Sequence, residues 1–286
     1  MIYLAIVSLI WAFSFGIIGN SLAEVDSFLV ATIRLACASL LFFPFLRLKQ
    51  ISGKDCIRLF CCGSVQFGLM YVFYMKAFQF LPSHLVALFS ILTPVYVVLI
   101  HDIRSQQWSI RYFLAALLSV IGAATIKIQG LPSGDFWIGF TLMQLAGISF
   151  AFGQIAYRDW KLKHSSTTNT AIFSIISLGG MTTAGIFTVL FANPEKLSIN
   201  ALEWQSIFYL GFIASGLGFF LWNKGASLTN PGTLAAFNNA VVPLAMLFSL
   251  FIFGEFSSVS FESLVRLMLG GLLIGIAVSI STMRKD

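Results

Sequence analysis

Three residues of this sequence carry charge where charge is expensive. Arg34, Lys76 and Lys224 fall inside long apolar runs, and no Asp or Glu lies deep in any of those runs. An ionisable side chain at membrane depth costs about 2.5–3.5 kcal/mol on insertion scales, so each needs a reason. Fixed cations without fixed carboxylates suit a ligand that carries a carboxylate or another anionic group, and they offer a purely cationic ligand no partner. The expectation is that Lys76 or Lys224, or both, contact a substrate carboxylate. Each also stands within a turn or two of a helix C-terminus, where snorkelling to the interface and the helix dipole would account for it. Arg34, roughly two turns inside its run, is either a structural or a binding residue, with the structural role the stronger reading.

Neutral groups widen the candidate set. Gln66, Tyr71 and Tyr74 share one neighbourhood of the third run; Gln144 and Gln154 lie in the sixth, Asn223 in the eighth, and Asn238 and Asn239 in the ninth. A carboxamide donates and accepts, so it can bond both the amino and the carboxylate group of an amino acid. Amides and hydroxyls also join helices, at about 0.6 kcal/mol each on average. Trp11, Tyr74 and Trp222 could form an aromatic cavity wall, with Ser14 one turn beyond Trp11. Trp108, Trp137 and Trp160 stand next to loops and read as interfacial belt residues. Pro94 and Pro243 lie inside apolar runs, where a missing N–H bends the helix and suits a hinge or a cavity border.

Other chemistry is not signalled. Cys37, Cys56, Cys61 and Cys62 have no metal-ligand spacing and read as small apolar fillers, and His84 and His101 have no ligand-spaced partner. The sequence holds no HExxH, no GxSxG, no phosphate-binding glycine loop and no carboxylate cluster, which argues against an enzyme and against ATP-driven pumping. Energy would come from an ion gradient, from exchange, or from facilitated flow, so a coupling proton or a counter-substrate is an expected partner. Nucleic acid is not.

The elements that must hold these residues follow from composition. The 286 residues are 58% hydrophobic and only 10% charged, with a mean hydropathy of +0.91. A soluble fold, with roughly 25% charged residues, could not cover its surface this way. About 20 apolar residues cross a bilayer core as a helix. Ten such spans are expected: Ile2–Ser21, Phe28–Leu46, Ile57–Phe80, Ser83–Ile100, Tyr112–Lys127, Phe136–Tyr157, Thr170–Ala192, Trp204–Ser227, Pro231–Phe253 and Leu264–Thr282. The first reads as an uncleaved helix, since no basic stretch precedes it. With the N-terminus inside, eleven Lys and Arg residues fall in cytoplasmic gaps and the tail, against Lys127, Lys196 and Arg266 outside. The positive-inside rule then puts both termini in the cytoplasm of a cell (inner) membrane.

The chain also repeats itself. With Pro82 laid on Pro231, Pro94 falls on Pro243 and Ala87 on Ala236. Tyr74-Met75-Lys76 resembles Trp222-Asn223-Lys224, and Trp11-Ala12-Phe13-Ser14 resembles Phe150-Ala151-Phe152-Gly153. Each half would hold five spans, and an odd number inserts the halves in opposite senses. The expected fold is an all-α integral membrane protein of ten transmembrane helices in two inverted five-helix repeats, residues 1–130 and 131–286. In such folds the substrate site lies near the midplane between the repeats.

These features together resemble the EamA-type members of the drug/metabolite transporter superfamily. Trp11 to Phe15, Arg34, Tyr74-Met75-Lys76-Ala77, Leu92-Thr93-Pro94, Trp222-Asn223-Lys224, Pro243 and Gly254-Glu255 carry the resemblance across essentially the whole chain. One departure is that the fourth span is followed by His101-Asp102 and Gln106 rather than Gly-Glu. The resemblance implies ten helices, a central cavity and no prosthetic group. It points to an alternating-access carrier of a small metabolite, bound near the first, third, fourth, sixth, eighth and ninth spans. The expected substrate is an amino acid or a related carboxylate-bearing compound. The alternatives are a nucleotide-like or sulfonium metabolite such as S-adenosylmethionine and, from another class, a membrane-embedded enzyme.

Overall fold

A computed structural model describes residues 1–22, 24–77, 79–81, 86, 89–127, 136–251 and 261–283. Pro82, the expected start of the fourth span at Ser83, and the Gly254-Glu255 pair lie outside them. Among the described residues the regular structure is helical, with no strand. In order, the helices are α1 (Ile2–Ser21), α2 (Ser27–Phe42), α3 (Gly53–Ala77), α4 (Thr93–Ser105), α5 (Ile110–Lys127), α6 (Phe136–Lys163), α7 (Asn169–Phe191), α8 (Ala201–Leu228), α9 (Pro231–Asn238), α10 (Val241–Phe251) and α11 (Phe261–Thr282). By length and composition, six described segments can cross a membrane: Ser27–Phe45, Gly53–Ala77, Phe136–Lys163, Asn169–Phe191, Ala201–Leu228 and Val265–Thr282.

Polar caps punctuate the apolar runs. Asp26 starts α2 by accepting from the backbone N–H groups of Phe28 and Leu29, both at 3.0 Å. Ser52 caps α3, Asn200 and Glu203 form a capping box on α8, and Asn230 with Pro231 opens α9. Each cap satisfies amides that the first helical turn leaves unbonded.

Two features differ from uninterrupted spans. α3 and α8 each contain a π-helical segment, Ser64–Leu69 and Leu210–Leu217. A π segment adds a residue to the turn, shifts the faces beyond it and marks functional sites with unusual frequency. The expected fourth and ninth spans are broken rather than bent at their prolines. A 3-10 turn, Ser90–Leu92, precedes α4, and Pro94 sits in the first turn of α4; α9 and α10 are separate helices, and Pro243 is the third residue of α10. There a proline's missing N–H has no partner to lose. The two breaks are tied together: the Asn239 amide donates to the Ile91 carbonyl at 3.0 Å and lies 3.5 Å from Ser119 Oγ.

The core forms between the chain's two halves. α2 packs on α7, α5 on α11, α3 on α6 and α7, and α8 on α1 and α2. Small residues permit the closest approaches. A Cβ on Gly63 would stand 1.7 Å from the Ile176 carbonyl oxygen, so α3 and α7 meet backbone to backbone. Gly153 admits Gln66 in the same way, its added Cβ falling 2.1 Å from Gln66 Cβ.

Bonds between helix ends and loops define two ends of the bundle. At one, Trp160 donates to Asp55 at 2.9 Å, Arg104 pairs with Asp159 at 2.8 Å, Arg158 donates to the Thr229 carbonyl at 3.1 Å, and Arg111 donates to the Met283 carbonyl. At the other, the Asn193 amide donates to Asp26 at 3.0 Å and Lys196 pairs with Glu24 at 3.5 Å.

Candidate substrate site

The buried polar groups form three nodes around a wall of aromatic rings, the first within the second half of the chain and the other two across the halves. The first centres on Gln154 of α6, which is fully buried. Its Oε1 accepts from the Trp222 indole at 3.0 Å and from the half-buried Asn238 amide at 3.5 Å. Because an indole only donates, this fixes the orientation of the Gln154 amide. Its Nε2 is then left buried with no hydrogen bond among the described residues. An unmade bond on a buried donor costs about 1–3 kcal/mol, so this amide calls for an acceptor that the described residues do not supply.

The second node closes on itself. Gln66 Nε2 donates to Asn223 Oδ1 at 2.7 Å, and Asn223 Nδ2 returns a bond to Gln66 Oε1 at 3.3 Å. Both side chains are fully buried. Gln66 lies in the π segment of α3, so this pair joins the two halves through a neutral clasp.

Arg34 of α2 anchors the third node. It is only 4% exposed. Its Nε donates to Ser215 Oγ at 3.0 Å, and its guanidinium stands 4.9 Å from the centre of the Tyr71 ring. Tyr71 OH shares a 3.2 Å bond with the same Ser215 hydroxyl, and the Tyr74 ring lies 6.4 Å from the Tyr71 ring. Ser215 belongs to the π segment of α8. One residue before it, the Ala214 carbonyl accepts from the Trp11 indole at 2.9 Å.

Aromatic rings connect the nodes. Trp11 meets Trp222 at 4.9 Å, Phe219 at 5.5 Å and Phe150 at 6.0 Å, and Phe219 meets Tyr71 at 5.9 Å. Such contacts give rigid, apolar walls with polar tips.

Of the residues expected to bind, the structure brings together Trp11, Tyr71, Tyr74, Gln154, Trp222 and Asn238, with Arg34 among them. Ser14 bonds back to the Ile10 carbonyl of its own helix at 2.7 Å. Asn239 is committed to the break described above. The two lysines do not meet. Lys76 is half-buried at the end of α3, its side chain without a hydrogen bond or ion pair among the described residues. The turn that follows it sets Leu81 against Gly139, at the start of α6. Lys224 Nζ lies 4.6 Å from the centre of the Tyr3 ring and lines a cavity of about 310 Å³ with Lys161 and residues 165–170, at the far end of α6. α6 has 28 residues, a rise of about 42 Å, so the lysines belong to opposite ends of the bundle. Ser215 and Phe219 were not singled out by residue type; the small residues Gly211, Ala214, Gly216 and Gly218 around Ser215 were the available signal. Among the described residues no group of His, Cys, Asp and Glu could hold a metal.

Comparison with known proteins bears on what this site serves. The sequence model of the EamA-like transporter family matches residues 1–128 and again residues 132–281. The chain is similar to a probable biotin transporter of Pseudomonas aeruginosa, 37% identical over 276 residues that cover 96% of this chain and 94% of that one. It is equally similar, at 37% over 259 residues, to the biotin transporters of Salmonella typhimurium and Escherichia coli, covering 89% of this chain and 85% of theirs. One solved crystal structure superposes with a TM-score of 0.78 over 98% of this chain and 96% of that chain, at 16% identity, which speaks to the fold alone. The biotin in those relatives' names lends no support to the expected amino-acid substrate or to S-adenosylmethionine. The chain belongs to the EamA-like transporter family and is a multi-pass membrane transporter rather than an enzyme.

Proposed function

We propose that this protein is an alternating-access carrier of biotin, or of a close ureido carboxylate, in the bacterial inner membrane. The observation that carries the reading is the Gln154 amide: a buried donor without a bond among the described residues, on a side chain whose oxygen accepts from the Trp222 indole. Biotin supplies what this surface lacks. Its ureido carbonyl accepts a hydrogen bond, its ring N–H groups can donate to the Asn238 carbonyl oxygen, and its fused sulfur-containing ring is apolar enough for Trp11 and Trp222. The names of relatives aligned over nearly the whole chain support the same substrate.

The mechanism rests on two five-helix repeats of opposite orientation, residues 1–130 and 131–286, giving ten crossings with both termini cytoplasmic. Several observations support it. The family sequence model matches each half separately. The π segments fall in α3 and α8, and the breaks fall before α4 and between α9 and α10, at corresponding places relative to Pro82 and Pro231. The packing maps onto itself when the halves are exchanged: α3 on α7 corresponds to α8 on α2, α3 on α6 to α8 on α1, and α4 on α6 to α10 on α1. Basic residues near helix ends gather at one end of the bundle, as a cytoplasmic face requires. The halves rock about the α2–α7 and α5–α11 contacts, with Pro94 and Pro243 at the breaks serving as hinges, and a proton or a counter-substrate couples the cycle.

Uptake of labelled biotin by the purified chain in proteoliposomes, with and without an imposed proton gradient, tests this. Saturable uptake, competed by biotin and not by amino acids or S-adenosylmethionine, is expected. Absent uptake, or equal competition by amino acids, would remove the assignment.

A further inference from the structure

We propose that Arg34 is the cation that docks the substrate's carboxylate, with Ser215 and Tyr71 as its positioning residues. The inference rests on the carrier reading above and assigns one end of the ligand within that site.

A guanidinium stays charged at any pH a cell reaches. Burying it without a counter-charge carries a heavy desolvation penalty. Arg34 is nine-tenths buried and has no carboxylate within ion-pair distance among the described residues. A purely structural arginine would give its protons to backbone carbonyls. Among the described residues it gives none that way: its one hydrogen bond goes from Nε to the Ser215 hydroxyl. The guanidinium carbon lies over the Tyr71 ring, which favours a cation without neutralising it. The two terminal amino groups remain, and together they form the fork that matches a carboxylate in bidentate geometry.

The backbone explains why the side chain is held there. A Cβ on Gly211 would lie 3.4 Å from Arg34 Cα, so α2 and the π segment of α8 meet closely at this point. Ser215 follows in the same segment and receives Nε, while Tyr71 OH bonds that hydroxyl from the other side. The cation is also continuous with the rest of the site. Tyr71 meets Phe219, Phe219 meets Trp11, and Trp11 meets Trp222, which bonds Gln154. A ligand with a hydrogen-bond acceptor at one end and a carboxylate at the other would lie along this wall. The other membrane-depth cations, Lys76 and Lys224, stand at the two ends of the bundle. Asp26, the acid that caps α2, already takes three backbone amides.

The test compares biotin with its uncharged amide as competitors of uptake and as thermal stabilisers of the purified protein, in wild type, Arg34→Gln, Arg34→Lys, Ser215→Ala and Tyr71→Phe. Wild type should prefer biotin over the amide. Arg34→Gln should weaken biotin roughly tenfold to a hundredfold, the size of a lost charge-assisted pair, while leaving the amide nearly unchanged. Arg34→Lys should restore part of the preference. Equal losses for both ligands, or full retention of biotin, would overturn the proposal. If Arg34→Gln does not fold, Ser215→Ala and Tyr71→Phe decide: each should weaken biotin and spare the amide, and no change in either refutes the assignment. A wild type that ignores biotin contradicts the biotin reading alone. The same variants are then run with other monocarboxylates and their amides, and a carboxylate preference that survives Arg34→Gln, or that wild type never shows, ends the proposal.

Discussion

The π segments of α3 and α8 share a backbone irregularity and differ in what they do with it. In Ser64–Leu69, Gln66 turns into the interface and finds Asn223, and the two amides satisfy each other. In Leu210–Leu217, Ser215 turns into the interface and finds a guanidinium, which its neutral hydroxyl orients without balancing the charge. One segment makes a closed neutral clasp, and the other holds a charge that no carboxylate among the described residues balances. Matched π segments can therefore close a neutral pair at one place in a molecule and orient a charge at another. A bulged helix presents a polar group, and the partner across the interface decides whether that group is spent.

The contrast is best broken at its charged member. Arg34→Gln should have the largest effect, a roughly tenfold to hundredfold loss of biotin affinity. Its melting temperature should hold or rise, since an uncompensated charge is removed. A protein that falls apart instead would make Arg34 a structural residue like Gln66. Gln66→Leu should do the reverse: it strands the buried Asn223 amide, lowers stability by about 1–3 kcal/mol in thermal unfolding, and leaves the carboxylate preference intact. The double replacement Gln66→Leu with Asn223→Leu should recover much of that loss, and failure to recover would mean that the clasp is more than a hydrogen-bonded pair. Gln154→Leu should weaken biotin and its amide alike, about fivefold to tenfold, because it removes the donor for the ureido end that both ligands share. The smallest effects belong to Lys76→Gln and Lys224→Gln. Uptake should stay within about twofold of wild type, as for cations that reach the bundle ends. A tenfold loss in either would move the anion site away from Arg34.

Much of this was legible in the residues. A composition of 58% hydrophobic and 10% charged residues leaves room only for helices facing lipid, and caps such as Asp26, Ser52 and Asn200 mark where they begin. The charge asymmetry pointed to cations within the apolar runs. Which of them is enclosed was not legible: snorkelling depends on where a helix ends, and α3 and α8 each carry a lysine close to that point. The π segments were hidden because one extra residue in a turn leaves hydropathy unchanged, so Ser64–Leu69 and Leu210–Leu217 read as plain helix. Gln66 and Asn223 are 157 residues apart in the chain, and nothing local pairs them. The prolines were visible, and so was their correspondence. That Pro94 and Pro243 stand at the start of new helices depends on the breaks before them, which apolar runs do not announce.

The account stands on the substrate lying against the junction of the halves, and chemical protection tests that most directly. A chain whose four native cysteines are replaced, carrying Asn238→Cys beside the Gln154 amide, is reacted in vesicles with a water-soluble thiol reagent. Biotin should slow the reaction, with half-maximal protection at the concentration that half-saturates uptake. An unchanged labelling rate at saturating biotin, in vesicles that still take it up, would contradict the account.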